Sequence, residues 1–204
     1  MSAAIDHRAA GIAARFRNLN GTRKGLSFPI VSGGALFGTD GQCAFYGGPC
    51  DLPDGWLLPA GFDVPAWSKL FDGKLATAAT FGALARKMER GAVKGAKEWE
   101  HVAGFGEVYG KEDLTRVPQI WQCFRPHFGE VGVVSVDAAA LLRFEKACRE
   151  LDDAPGVCTL APSNSHAQSP LHVFYRGRWR GILMPCRAFA VEHLEKIPAP
   201  AVRK

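Results

Sequence analysis

The sequence predicts an α+β fold, helices packed on antiparallel strands, on three observations. Apolar residues recur at helical spacing near the N-terminus and again around residues 138–151. Short β-branched and aromatic runs, bounded by Gly, Pro, Asn or Asp, follow each of those stretches. The order helix-then-strands recurs over residues 5–46, 56–109 and 131–187, as one unit used several times.

The elements follow in order. Asp6 is placed to cap a first helix with Ala9, Ile12, Ala13, Phe16 and Leu19 on one face, ended by Asn20-Gly21. Leu26 to Val31 reads as a strand interrupted by Pro29, and Gly33-Gly34 as a tight turn. Ala35 to Phe37 and Cys43 to Tyr46 read as strands joined by the Thr39-Asp40-Gly41 turn. Trp56 to Pro59 is a short strand, and Asp63 with Pro65 opens a short helix. Between 75 and 100 the spacing of Phe81, Leu84, Ala85 and Met88 predicts a helix, with a strand pair as the alternative; Arg86, Lys87, Arg90, Lys94 and Lys97 make it basic. Val102 to Tyr109 and Val131 to Val136 are strand-like, with an extended connector over 113–118. Asp137 caps a helix carrying Leu141, Phe144, Cys148 and Leu151 on one face. Gly156 to Leu160 is a strand. Val173 to Tyr175 and Ile182 to Met184 form a hairpin whose second strand, stopped by Pro185, is expected at a surface edge.

The totals bound the function. With 47% apolar and 22% charged residues, 204 residues suffice for one large or two small globular domains. A net charge of +5 and a pI near 9.0 permit a nucleic-acid partner without requiring one. Six cysteines form no C-x-x-C pair and no zinc-finger spacing, and no apolar run is long enough to span a bilayer. The expectation is a cytoplasmic protein with reduced, structural thiols, no metal and no cofactor. Enzyme motifs are missing too. No Gly-Lys-Ser/Thr follows the glycine-rich stretch 33–41, the six histidines are scattered, and turn and capping roles account for Asp40, Asp54 and Asp63. No catalytic residue is expected.

Several separated motifs resemble one family. Gly38-Thr-Asp-Gly-Gln-Cys-Ala44 is similar to the Thr-Asp-Gly turn of the bacterial DNA polymerase III beta sliding clamp. Trp56-Leu-Leu-Pro59 followed by a helix, Glu112-Asp-Leu-Thr-Arg-Val117, and Ile182-Leu-Met-Pro-Cys-Arg187 resemble its strand-proline, its inter-domain connector and its C-terminal Met-Pro-Met-Arg ending. Order and approximate spacing agree from about residue 5 to 188. Gln42-Cys43 stands where the family usually has His-Arg, and Cys186 replaces its second Met.

The resemblance implies about one and a half clamp domains: residues 1–118 as a clamp-like domain resembling the middle one, 119–190 as a C-terminal half-domain, and 191–204 as a flexible tail. It implies a peptide-binding pocket of Thr39, Gly41, Gln42, Cys43, Arg116, Val117, Met184, Pro185, Cys186 and Arg187, suited to clamp-binding peptides of DNA polymerases or repair proteins. It also implies loose phosphate contacts to duplex DNA from Arg8, Arg15, Arg23, Lys24, Arg143 and Lys146. A homo-oligomer would be needed to close a ring. The alternative is a small clamp-like protein, of mobile-element origin, that blocks or decoys a DNA-acting complex without a ring.

Overall fold

The structure is a computed structural model, which describes residues 4–18, 24–70, 78–105, 107–108, 112–113, 136–162 and 169–185. Expected features elsewhere, including the strand through residue 135 and the tail, lie outside the described residues. Among the described residues there are four α-helices: α1 (His7–Ala13), α2 (Val64–Lys69), α3 (Ala78–Gly95) and α4 (Ala138–Asp152). Strands β1 (Ile30–Ser32), β2 (Ala35–Thr39), β3 (Cys43–Pro49), β4 (Gly55–Pro59) and β5 (Trp99–Val102) precede a short pair, β6 (Glu107–Val108) and β7 (Glu112–Asp113). Strands β8 (Cys158–Pro162), β9 (Leu171–Tyr175) and β10 (Arg178–Leu183) follow α4.

Local chemistry starts the helices where the sequence places them. The carboxylates of Asp6, Asp63 and Asp137 accept from the backbone N–H of Ala9, Ala66 and Ala139, satisfying donors that the first turn leaves open. Helix α1 stops at Ala13 and passes into a one-turn 3-10 helix, Ala14–Phe16, earlier than the apolar spacing implied. Pro29 cannot donate to a ladder, so the expected strand 26–31 divides into a 3-10 turn, Lys24–Leu26, and the short β1. The stretch 75–100 holds α3 and then β5, so the helical reading is right for most of it.

Among the described residues eight strands form one antiparallel sheet in the order β5-β4-β1-β2-β3-β10-β9-β8. Two meanders, β1-β2-β3 and β8-β9-β10, each follow a helix and meet through the β3–β10 pair. That pair joins the sheet across the boundary expected near residue 118. The middle module departs from the expected repeat. Its strands β4 and β5 extend the first meander, and α2 and α3 lie between them in sequence. Strand β10 is also not at an edge: it pairs with β3 on one side and β9 on the other. The single sequence showed an apolar run ending in proline, which an interior strand and an edge strand share.

Strand alternation sends side chains into two cores. On one face, α1, the 3-10 helix after it and α4 bury Ile12, Phe16 and Phe144 against Val31, Leu36, Phe45, Val173 and Leu183. Phe16 stacks on Phe45 with ring centres 4.7 Å apart, and Phe144 tilts against Phe16 at 5.0 Å. On the other face, Phe28, Ile30, Phe37, Trp56 and Ile182 pack with Trp67 of α2 and Ala85 of α3. The polar ends of the large rings are partnered: Trp56 Nε1 donates to Gly25 O at 2.9 Å, and Trp67 Nε1 to the buried Glu89 carboxylate at 2.8 Å.

Two glycines are fixed by close approach. A Cβ on Gly38 would lie 1.9 Å from Ala13 O, so its absence lets the end of α1 rest on β2. A Cβ on Gly181 would lie 2.0 Å from Ala44 O of β3; Gly181 takes a φ of +144° beside a shift of register between β10 and β9.

Candidate functional site

Two of the three stretches expected to converge lie side by side. The turn Thr39–Cys43 joins β2 to β3, and Leu183 at the end of β10 stands opposite Cys43. The chain leaves the sheet at Met184, whose N–H donates to Gln42 O at 2.8 Å. Gly41, Gln42, Met184 and Pro185 therefore share one rim of the sheet. Arg116, Val117, Cys186 and Arg187 lie outside the described residues.

The turn is held by its own side chains. Asp40 Oδ1 accepts from the N–H of Gln42 and of Cys43, each at 2.9 Å, and Gly41 takes a φ of 86°. Thr39 Oγ1 donates to Cys43 O at 2.7 Å and accepts from Gly41 N–H at 3.1 Å. Arg143 of α4 reaches across to Asp40 Oδ2 at 3.0 Å, its guanidinium 5.6 Å from the centre of the Phe16 ring. Helix and turn are thus tied across one face of the sheet.

That geometry corrects the expected pocket lining. Thr39 is 7% exposed and its hydroxyl serves the turn backbone. Cys43 is 2% exposed and faces the same core as Leu183, because opposed residues of paired strands share a face. Burial first, and then the Asp40 charge, push the Cys43 thiol up to about 12. Of the described positions in that pocket, Gly41, Gln42 and Met184 are exposed and Pro185 is half-buried. Met184 is 38% exposed, a large apolar side chain at the rim.

The expected phosphate contacts are also rearranged. Arg8 pairs with Asp153, Arg15 grips both Glu150 oxygens at 2.6 and 2.7 Å, and Arg143 is held by Asp40. Hydrogen bonding to Arg8 pulls the Asp153 carboxyl below its ordinary value. Spacing along a helix face could not reveal these pairs, whose partners are 103 to 145 residues apart in sequence. Lys146 is exposed on α4. Arg23 and the side chain of Lys24 lie outside the described residues.

A second feature was not anticipated as a site. A groove of about 880 Å³ opens between α1 and the C-terminal half of α3. Arg8, Arg15 and Arg17 form one wall; Arg90, Lys94 and Lys97 form the other. Gly11, Ile12, Val93 and Ala96 give it an apolar floor, and Glu150 is its one carboxylate among the described residues. The walls meet where Trp99 N–H, at the start of β5, donates to His7 Nδ1 at 3.1 Å. Burial lowers the Arg17 pKa from its ordinary value; Glu89 opposes that shift and Arg90 adds to it. The basic run 86–97 was visible in the sequence, but its meeting with α1 depends on β5 reaching the N-terminal helix.

Fold and surface together define an α+β protein built on one antiparallel sheet, with a turn-and-strand rim at one place and a cationic groove at another. Among the described residues no helix is long and apolar enough to cross a membrane. No family model matches the chain, and no curated protein and no solved structure matches it.

Proposed function

We propose that the protein is a non-catalytic, sliding-clamp-like binding protein. It takes clamp-binding peptides of DNA polymerases or repair proteins at the rim formed by Gln42, Met184 and Pro185. It holds duplex DNA loosely, through phosphates, and closes around it as a homo-oligomeric ring. The observation that carries this reading is the junction of the Thr39–Cys43 turn with the end of β10, sealed by the bond from Met184 N–H to Gln42 O. The two motifs come from opposite ends of the chain and are the ones the clamp resemblance requires to be neighbours. The twofold use of a helix followed by three strands, joined through their last strands, also supports it. A flexible thioether beside a rigid proline ring suits a guest peptide with Leu or Phe anchors.

One observation favours a second reading. Arg8, Arg15 and Arg143 are engaged by carboxylates, which reduces the phosphate contacts those helices offer. A clamp-like protein that captures peptides, and blocks a DNA-acting complex without a ring, needs fewer of them.

Titration of a labelled Gln-Leu-x-Leu-Phe peptide tests the shared part. Truncating Met184 to Ala should weaken binding by about 2 kcal/mol, roughly 30-fold, if it is an anchor of the site. Absence of binding by the unaltered protein removes the reading. Retention on closed circular DNA with loss from linear DNA of the same length marks the ring; equal retention, or a strict monomer by light scattering, leaves the second reading.

A further inference from the structure

We infer that the groove between α1 and the C-terminal half of α3 is a seat for the phosphate backbone of duplex DNA, engaged without regard to base sequence. The inference rests on the nucleic-acid half of the reading above; neither the ring nor the peptide rim enters it.

Charge is the first argument. Among the described residues, six cations line the groove against one carboxylate, Glu150. Arg15 occupies that carboxylate with both its terminal nitrogens, and Arg8 is taken by Asp153. Arg17, Arg90, Lys94 and Lys97 form no ion pair among the described residues. Uncompensated like charges gathered in a concavity create a positive potential that an anion lowers.

Spacing is the second. Arg90 and Lys94 are one turn apart on α3, about 6 Å along the axis, close to two steps of a DNA strand at about 3.4 Å each. Lys97 continues that row past the end of α3, and Arg17 faces it from the opposite wall. A row of cations along an open groove matches a row of phosphates rather than a single anion.

The lining also decides between ligands. Apart from His7, no ring among the described residues lines the groove, so these residues give bases nothing to stack on. Single-strand binders depend on such platforms, and a mononucleotide would find no base pocket. A duplex offers its phosphates outward and needs neither. The groove has no deep apolar recess of the kind that anchors a peptide, since its floor is Gly11, Ala96, Val93 and the buried Ile12.

The test is anisotropy with labelled duplexes of about 20 base pairs, in two unrelated sequences, from roughly 50 to 200 mM salt. Arg90→Gln, Lys94→Gln and Lys97→Gln are combined in one variant. All three side chains are exposed, so its thermal unfolding should match that of the parent. The control carries Lys69→Gln, Arg176→Gln and Arg178→Gln, which are exposed elsewhere and change net charge equally. The groove variant should lose about tenfold or more in affinity, and its salt slope should fall by about 2 to 3, near 0.9 per lost phosphate contact. The control should stay within about threefold of the parent, and the two duplexes should bind alike. Equal behaviour of the two variants would overturn the groove while leaving duplex binding itself intact. Tighter binding of single strands, or equal competition by polyglutamate, would assign the groove to a different polyanion and overturn the inference. No duplex binding by the parent would remove the nucleic-acid half of the clamp reading along with it.

Discussion

Replacing Asp40 by Ala tests whether the rim turn is built as described. The carboxylate accepts two backbone N–H bonds at 2.9 Å and one from Arg143 at 3.0 Å, and its side chain is only 16% exposed. Hydrogen bonds to a charged group contribute about 1.5–3 kcal/mol each where water is largely excluded, and less where it is not. Two such bonds at a partly sheltered turn, with the ion pair, give a loss of roughly 3 kcal/mol for Asp40→Ala. Asp40→Asn keeps an oxygen for the N–H groups and should lose less than half of that. The Arg143 side chain is 32% exposed, so a double-mutant cycle with Arg143→Ala should return a coupling of about 1 kcal/mol. Urea unfolding followed by tryptophan fluorescence suits the chain, because Trp56, Trp67 and Trp99 are buried. A cost below about 1 kcal/mol for Asp40→Ala, or a coupling near zero, would refute this account of the turn.

Two further expectations concern the core. Phe144→Ala empties a fully buried site against Phe16 and Phe45 and should destabilise by about 3–5 kcal/mol in the same assay, with α4 loosened from the sheet. The Cys43 and Cys148 thiols, pushed up to about 12 chiefly by burial, hold their protons in the folded protein at pH values where the unfolded chain has released them. Their contribution is therefore complete below about pH 8.5 and is lost as pH rises toward 12, by about 1.4 kcal/mol per pH unit for each thiol. Cys148→Ala should flatten the decline of unfolding free energy above about pH 9 by one thiol's share; parallel profiles for parent and variant would count against the buried-thiol account.

What the sequence disclosed was local. Asp6, Asp63 and Asp137 cap helices because each carboxylate needs only a backbone N–H two or three residues on. The Thr39-Asp40-Gly41 turn is likewise closed within five residues. What depends on long-range pairing stayed hidden. Ile182-Leu183 reads the same whether β10 lies at an edge or between two strands, and the choice is made by β3, more than 130 residues earlier. The arginines of α1 look like an open basic face until α4 delivers Glu150 and Asp153 beside them. Conversely, Arg90 and Lys94 look like an ordinary solvated helix face until β5 brings α3 against α1. Cys43 was assigned to the pocket by position in a motif, whereas pairing with β10 turns its side chain into the core.

The rim can be watched through its own thioether. The chain has three methionines, of which Met184 is exposed at the rim and Met88 is half-buried on α3. With methyl-labelled methionine, titration of the Gln-Leu-x-Leu-Phe peptide should move the Met184 methyl resonance and leave that of Met88 in place. A Met184 signal that stays fixed while the peptide binds, or that moves no more than the Met88 signal, would contradict a peptide site at the junction of the turn and the last strand.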